Sequence, residues 1–134
     1  MLQLMKDLPA NVVGVRALGQ VNKDDYEKTL VPAIEKMAKE FGTINFLMVF
    51  ETDIKNFTYG AWMQDAKMSL KQFSKWNKVA IVTDQKIIEK LSYIFNYISP
   101  AEAKGFPISD IELAKTWVAA PKEEGEKSRN PGQL

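Results

Sequence analysis

Chemistry in this chain, if it has any, is concentrated between Glu51 and Trp76. Glu51 and Asp53 follow an apolar run, where catalytic carboxylates can stand. Thr58 supplies a hydroxyl at the start of a helical pattern. Phe57, Tyr59, Trp62 and Met63 crowd the same junction, and Lys67, Lys71 and Lys75 follow at four-residue spacing. Neither acid has a visible partner of matching chemistry, and acid–base work needs one within hydrogen-bond reach. Both read as polar loop residues. Thr58 reads first as a helix cap, its oxygen accepting from a backbone N–H two or three residues on. Arg16 could meet an anion, but reads as an exposed strand residue.

Composition narrows the chemistry further. The chain has no histidine and no cysteine. Thiolate nucleophiles, disulfides, Ser-His-Asp arrangements and Cys-type zinc sites are therefore excluded. No metal, cofactor or catalytic residue is assigned, and the expectation is a protein that is not an enzyme. Eighteen basic residues balance 17 acidic ones, for a net charge of +1. That balance offers no electrostatic case for nucleic acid, which is bound by concentrated Lys and Arg.

The elements around the cluster follow from periodicity. The 134 residues fit one domain, with 46% hydrophobic and 26% charged residues, the composition of an ordinary globular fold. Strands are expected over 2–8 and 12–21, joined through Pro9-Ala10-Asn11 as an antiparallel hairpin. Asn22 or Lys23 opens a first helix on Tyr26, Leu30, Ala33, Ile34, Met37 and Phe41, stopped by Gly42. Pro32 lies within it and predicts a kink, or a break near Val31. Ile44 to Phe50 is nearly continuously apolar, as a strand covered on both faces should be. The second helix runs over 58–76, with Trp62, Ala66, Leu70 and Phe73 as its inward stripe.

A strand over 78–83 follows. Asp84 then caps a third helix on Ile87, Ile88, Leu91, Ile94, Phe95 and Ile98. A last strand covers 101–106, and Ser109-Asp110-Ile111-Glu112 reads as a capping box opening a last helix. Residues 121–134 read as a disordered tail, leaving one domain over 1–120. Strands alternating with helices after a hairpin predict an α/β fold with a mixed, mostly parallel sheet and helices mainly on one face. No apolar run reaches the roughly 20 residues that span a bilayer, and the first residues are too charged for a signal peptide. A cytoplasmic protein is expected, peripheral at a membrane if the aromatic cluster is used there.

The aromatic cluster carries the binding expectation. Neighbours along a helix diverge by about 100°, so Phe57, Tyr59, Trp62 and Met63 cannot all face the sheet. Those left over are exposed or line a cleft, where exposed apolar groups mark binding surfaces, and Tyr and Trp suit a membrane boundary. Phe50, ending the central strand, is the other candidate for that cleft. An exposed apolar helix face would also allow a homodimer.

Several runs carry a family resemblance: Gly14-Val15-Arg16-Ala17-Leu18-Gly19, Asp24-Asp25-Tyr26 leading to Val31-Pro32-Ala33-Ile34-Glu35, and the strand Ile44 to Phe50. To these add Gly60 with Trp62, Lys78-Val79-Ala80-Ile81-Val82-Thr83-Asp84, and Phe106 with Ala114 and Trp117. Together they resemble the STAS superfamily (sulfate transporter and anti-sigma-factor antagonist), most closely its bacterial SpoIIAA-like branch, also described as STAS/SEC14-like. In anti-sigma-factor antagonists a Ser within Asp-Ser-x-Gly is the phosphorylation switch. The matching run here is Phe57-Thr58-Tyr59-Gly60, with Phe57 in place of Asp. The resemblance thus implies a protein-interaction module with Thr58 as phosphosite. The comparison of the SpoIIAA-like branch with lipid-binding CRAL-TRIO domains implies instead a lipophilic ligand or a membrane surface, met by Phe57, Tyr59, Trp62, Met63 and Phe50.

Overall fold

The computed structural model describes residues 1–71, 73–85 and 101–121, apart from the side chains of Trp62, Ser69, Leu70 and Phe73. The expected third helix and the expected tail lie outside the described residues.

Five strands form one sheet in the order of the chain: β1 (Leu2–Leu4), β2 (Val13–Ala17), β3 (Ile44–Phe50), β4 (Trp76–Val82) and β5 (Glu102–Phe106). β1 pairs antiparallel with β2, and every later pair is parallel. The hairpin is thus present, although its strands are shorter than periodicity alone indicates. Adjacent parallel strands need a crossover, and right-handed crossovers between strands laid down in sequence fall on one face. That face carries α1 (Lys23–Asp25), α2 (Val31–Phe41) and α3 (Tyr59–Lys71). The other face carries α4 (Ile111–Ala119).

β3 is central and buried along its whole length. Its odd and even positions feed two cores. Phe46, Met48 and Phe50 join Val13, Val15, Val79 and Ile81 beneath α2 and α3. Leu47 and Val49 join Ala80, Val82 and Phe106 beneath Ala114 and Val118 of α4. The unbroken apolar run is the direct result of two covered faces.

The break expected near Val31 has a definite form. Between α1 and α2 the backbone makes a π turn over Tyr26–Leu30, in which the Val31 N–H reaches back to the Tyr26 carbonyl. Pro32, in the first turn of α2, has no N–H to offer its i−4 carbonyl and its ring crowds that position. Widening the preceding turn removes the conflict without ending the helix. Asn22 and Asp25 form a reciprocal capping box at the start of α1. Gly42 ends α2 at φ 74, a left-handed conformation that glycine adopts without strain.

Two expectations are corrected. The second helix stops at Lys71, and a short 3-10 turn, Phe73–Lys75, leads into β4. Trp76 is therefore a strand residue, buried edge-on against Phe46 at 5.9 Å between ring centroids. The Ser109–Glu112 capping box does not form, because a 3-10 turn at Ile108–Asp110 precedes α4 and Asp110 makes no side-chain cap. Asp84 accepts a hydrogen bond from the Ile108 N–H at 3.0 Å, joining the end of β4 to that turn.

Candidate functional site

The loop from β3 into α3 is tied on two sides. Val21 and Phe57 form an isolated parallel bridge, with the Val21 N–H donating to Asn56 and the Thr58 N–H donating to Val21. On the other side, Gln85 accepts from the Ile54 N–H and donates to the Thr52 carbonyl, each at 3.1 Å. Asp53 accepts from the Lys55 N–H and so caps a 3-10 turn at Ile54–Asn56. Glu51 pairs with Arg16 at 3.0 Å. The two carboxylates and the arginine are thus engaged in shaping the loop, and the loop is fastened rather than a free flap.

Within the aromatic cluster, burial separates the residues. Phe57 is buried and packs on Phe50, with ring centroids 5.6 Å apart. Both fill the core between sheet and helix, so each occupies the space a ligand cleft between them would need. Tyr59 is 80% exposed and Met63 44% exposed. The side chain of Trp62 lies outside the described residues.

Thr58 caps α3, its hydroxyl oxygen accepting from the Ala61 N–H at 3.2 Å. Thr58→Ala should cost about 1 kcal/mol of stability in urea denaturation. Thr58→Ser, which keeps the acceptor, should lose much less. Gly60 allows a close approach at the same end, since a Cβ there would stand 3.2 Å from the Lys23 Cβ. The first turns of α1 and α3 are thereby brought together.

Of the expected stripe of Trp62, Ala66, Leu70 and Phe73, Ala66 is exposed and the other side chains lie outside the described residues. Among the described side chains of α3, Ala61 and Met68 are buried, and at about 100° per residue Asp65 falls between them on the inward row. Tyr59, Met63 and Ala66 fall on the opposite side. The helix is partly inverted: a carboxylate faces in, an aromatic ring and a thioether face out. Periodicity misplaces Ala66 for this reason, since an apolar stripe assigned from spacing assumes that apolar residues face inward.

Asp65 and Tyr26, the first residue of the π turn, act on each other's protonation. Tyr26 is 1% exposed. The residue Asp65 keeps some surface, but its carboxyl group is withdrawn from water. Burial pushes its pKa up from 3.8 to about 6, and the Tyr26 hydroxyl only partly offsets this. Burial, and then the neighbouring Asp65, hold the Tyr26 hydroxyl well above its usual range. Sequence reading passes over this pair because nothing local marks a carboxylate in a lysine-flanked helix as inward.

Of the lysines, Lys71 pairs with Glu35 at 2.9 Å, while Lys67 and Lys75 are exposed. Lys67 flanks Met63 on the outer side of α3. Among the described residues no group of three or more His, Cys, Asp or Glu could hold a metal ion, and no helix is long and apolar enough to cross a membrane.

Comparison with known proteins agrees with this architecture. The curated proteins contain no match to this chain. A solved structure, the crystal structure of an uncharacterized protein of the DUF3478 family with a SpoIIAA-like fold from Shewanella loihica PV-4, superposes with a TM-score of 0.65. It is 22% identical, over 89% of this chain and 93% of that one. At that identity it supports the fold. The family model described as SpoIIAA-like matches residues 12–119, from the residue before β2 to the end of α4. The chain belongs to the SpoIIAA-like family.

Proposed function

We propose that the chain is a binding module that docks on an anionic membrane surface through the outer row of α3. The family and its fold support a regulatory or binding role of a generally non-enzymatic kind. The observation that carries the finer reading is the exposure of Tyr59 and Met63 on successive turns of α3, opposite its buried row. Tyrosine suits the headgroup boundary, with an apolar ring and a wet hydroxyl. Exposed Lys67 beside this row and Lys55 on the entry loop add roughly 1 kcal/mol each near an anionic surface. The contact of Phe50 with Phe57 favours a surface over an enclosed lipophilic ligand.

Vesicle cosedimentation tests this. Wild type should sediment with phosphatidylserine-containing vesicles, less so in high salt and less with pure phosphatidylcholine. The double change Tyr59→Asp with Met63→Asp should reduce binding at least about tenfold, because it replaces apolar contact with charge repulsion. Wild type that stays in the supernatant with both vesicle types would refute the reading. Sedimentation velocity without vesicles distinguishes a second copy of the chain as the occupant of the same row.

A protein-interaction module switched at Thr58 is the second reading. Its support is the placement of a partly exposed hydroxyl at the first turn of a 13-residue helix, beside Lys23. A phosphate there would face the positive end of the helix and a cation. Pull-down from native lysate with wild type and Thr58→Glu tests it. A partner captured equally by both would count against the switch.

A further inference from the structure

Two side chains of α3 reach across to the elements beside it. Gln64 donates to Glu27 of the π turn at 2.7 Å, and Lys71 pairs with Glu35 of α2 at 2.9 Å. Gln64 and Lys71 are seven residues apart, so they lie on one flank of the helix, with Lys67 beside both. The two bridges differ in kind. Gln64 is neutral and half-buried. Lys71 is charged, with 66% of its side chain exposed against 44% for Glu35.

Of the lysines at 55, 67, 71 and 75, all exposed, Lys71 is the one that the fold answers with a carboxylate among the described residues. An anionic surface that meets α3 therefore finds Lys71 already occupied. An exposed ion pair is weak and screened by salt. A lysine near an anionic surface gains an amount of the same order. The two partners of Lys71 are thus closely matched, and its flexible four-carbon stem lets the ammonium turn from one to the other. The Gln64–Glu27 bridge has no charge on the α3 side to be drawn away, so the helix stays seated while Lys71 changes partner.

We propose that the Glu35–Lys71 pair is a competitive strap on the docking row of α3: Glu35 holds Lys71 until the phosphate of an anionic headgroup takes its place. Docking then gains one further cation at the C-terminal end of the helix. It also leaves the Glu35 carboxylate beside the surface, where like charge opposes binding. Glu35 thus sets a threshold. A sparsely charged surface does not displace it, and a densely charged one does. The strap rests on the membrane reading and adds to it the residue that makes docking selective for charge density.

Cosedimentation of the full chain with phosphatidylserine-containing vesicles tests the strap against a matched control. Glu112 of α4 also pairs with a lysine, Lys115, at 2.9 Å, on the other face of the sheet. Glu35→Gln should tighten binding about fivefold, whereas Glu112→Gln, the same change of charge, should tighten it less than about twofold, because a distant charge is screened. Lys71→Gln should weaken binding about twofold. It should also cut the gain from Glu35→Gln to about twofold, since only the repulsion of the carboxylate is then left to remove. A gain from Glu35→Gln no larger than that from Glu112→Gln would overturn the strap. So would an equal gain with and without Lys71. Both outcomes leave wild-type binding in place. They differ from failure of the membrane reading, in which neither wild type nor Glu35→Gln sediments with the vesicles and the strap falls with it.

Discussion

Phe57→Ala is expected to lower the unfolding free energy by about 3–5 kcal/mol, the cost of emptying a buried aromatic site. Phe57 is 6% exposed and lies on Phe50, while its own strand-like bridge to Val21 holds the backbone on both sides. The surroundings therefore have little freedom to collapse into the space. Set against a typical stability of about 5–15 kcal/mol, this is a large fraction of the total. Tyr59→Ser, two residues away, should change stability by less than about 0.5 kcal/mol, because the ring it removes is already in water. Urea denaturation followed by far-ultraviolet circular dichroism measures both. Equal effects would mean that the aromatic cluster is not divided between core and surface as described. The same contrast warns against Phe57→Asp as a probe of binding, since it would act by unfolding the domain.

Asp65→Asn is expected to stabilise the protein at pH 8 by roughly 2–3 kcal/mol and to leave it almost unchanged at pH 4. The sign follows from linkage. The folded protein holds this proton more tightly than the unfolded chain does, because burial raises the pKa from 3.8 to about 6. The stabilisation from the bound proton is complete below about 3.8 and is lost as pH rises through about 6. One pKa unit corresponds to about 1.4 kcal/mol, which sets the upper end of the range. Asparagine is close in shape, can still accept from Tyr26 and has no charge to desolvate. Thermal or urea denaturation of both proteins from pH 4 to pH 8 reads the difference directly, with the other carboxylates cancelling between them. A difference that is constant with pH, or that grows on acidification, would contradict the buried placement of Asp65.

The parts of this protein that were legible in its sequence are those governed by local rules. The run Ile44 to Phe50 could only be a strand covered on both faces, because no polar alternation is left to meet water. Asn22, Gly42 and Pro32 announced a start, a stop and a disturbance, because capping, left-handed backbone and a missing N–H act within a few residues. The order of strands and helices, with the handedness of crossovers, was then enough for the mixed sheet. The resemblance to the SpoIIAA-like branch rested on the same runs that the family match covers.

What the tertiary structure decided is which way α3 faces. Trp76 looked like the end of that helix and is the start of β4, because its partner Phe46 lies on a strand far away in the chain. Phe57 looked available and is buried, because Phe50 and the bridge to Val21 draw it inward. Asp65 carries no local mark of burial and is the inward member of its row, where burial raises its pKa. Each of these outcomes depends on contacts between residues distant in sequence. Spacing along one helix records only relative angle, and the neighbour that sets its absolute orientation is supplied by the fold.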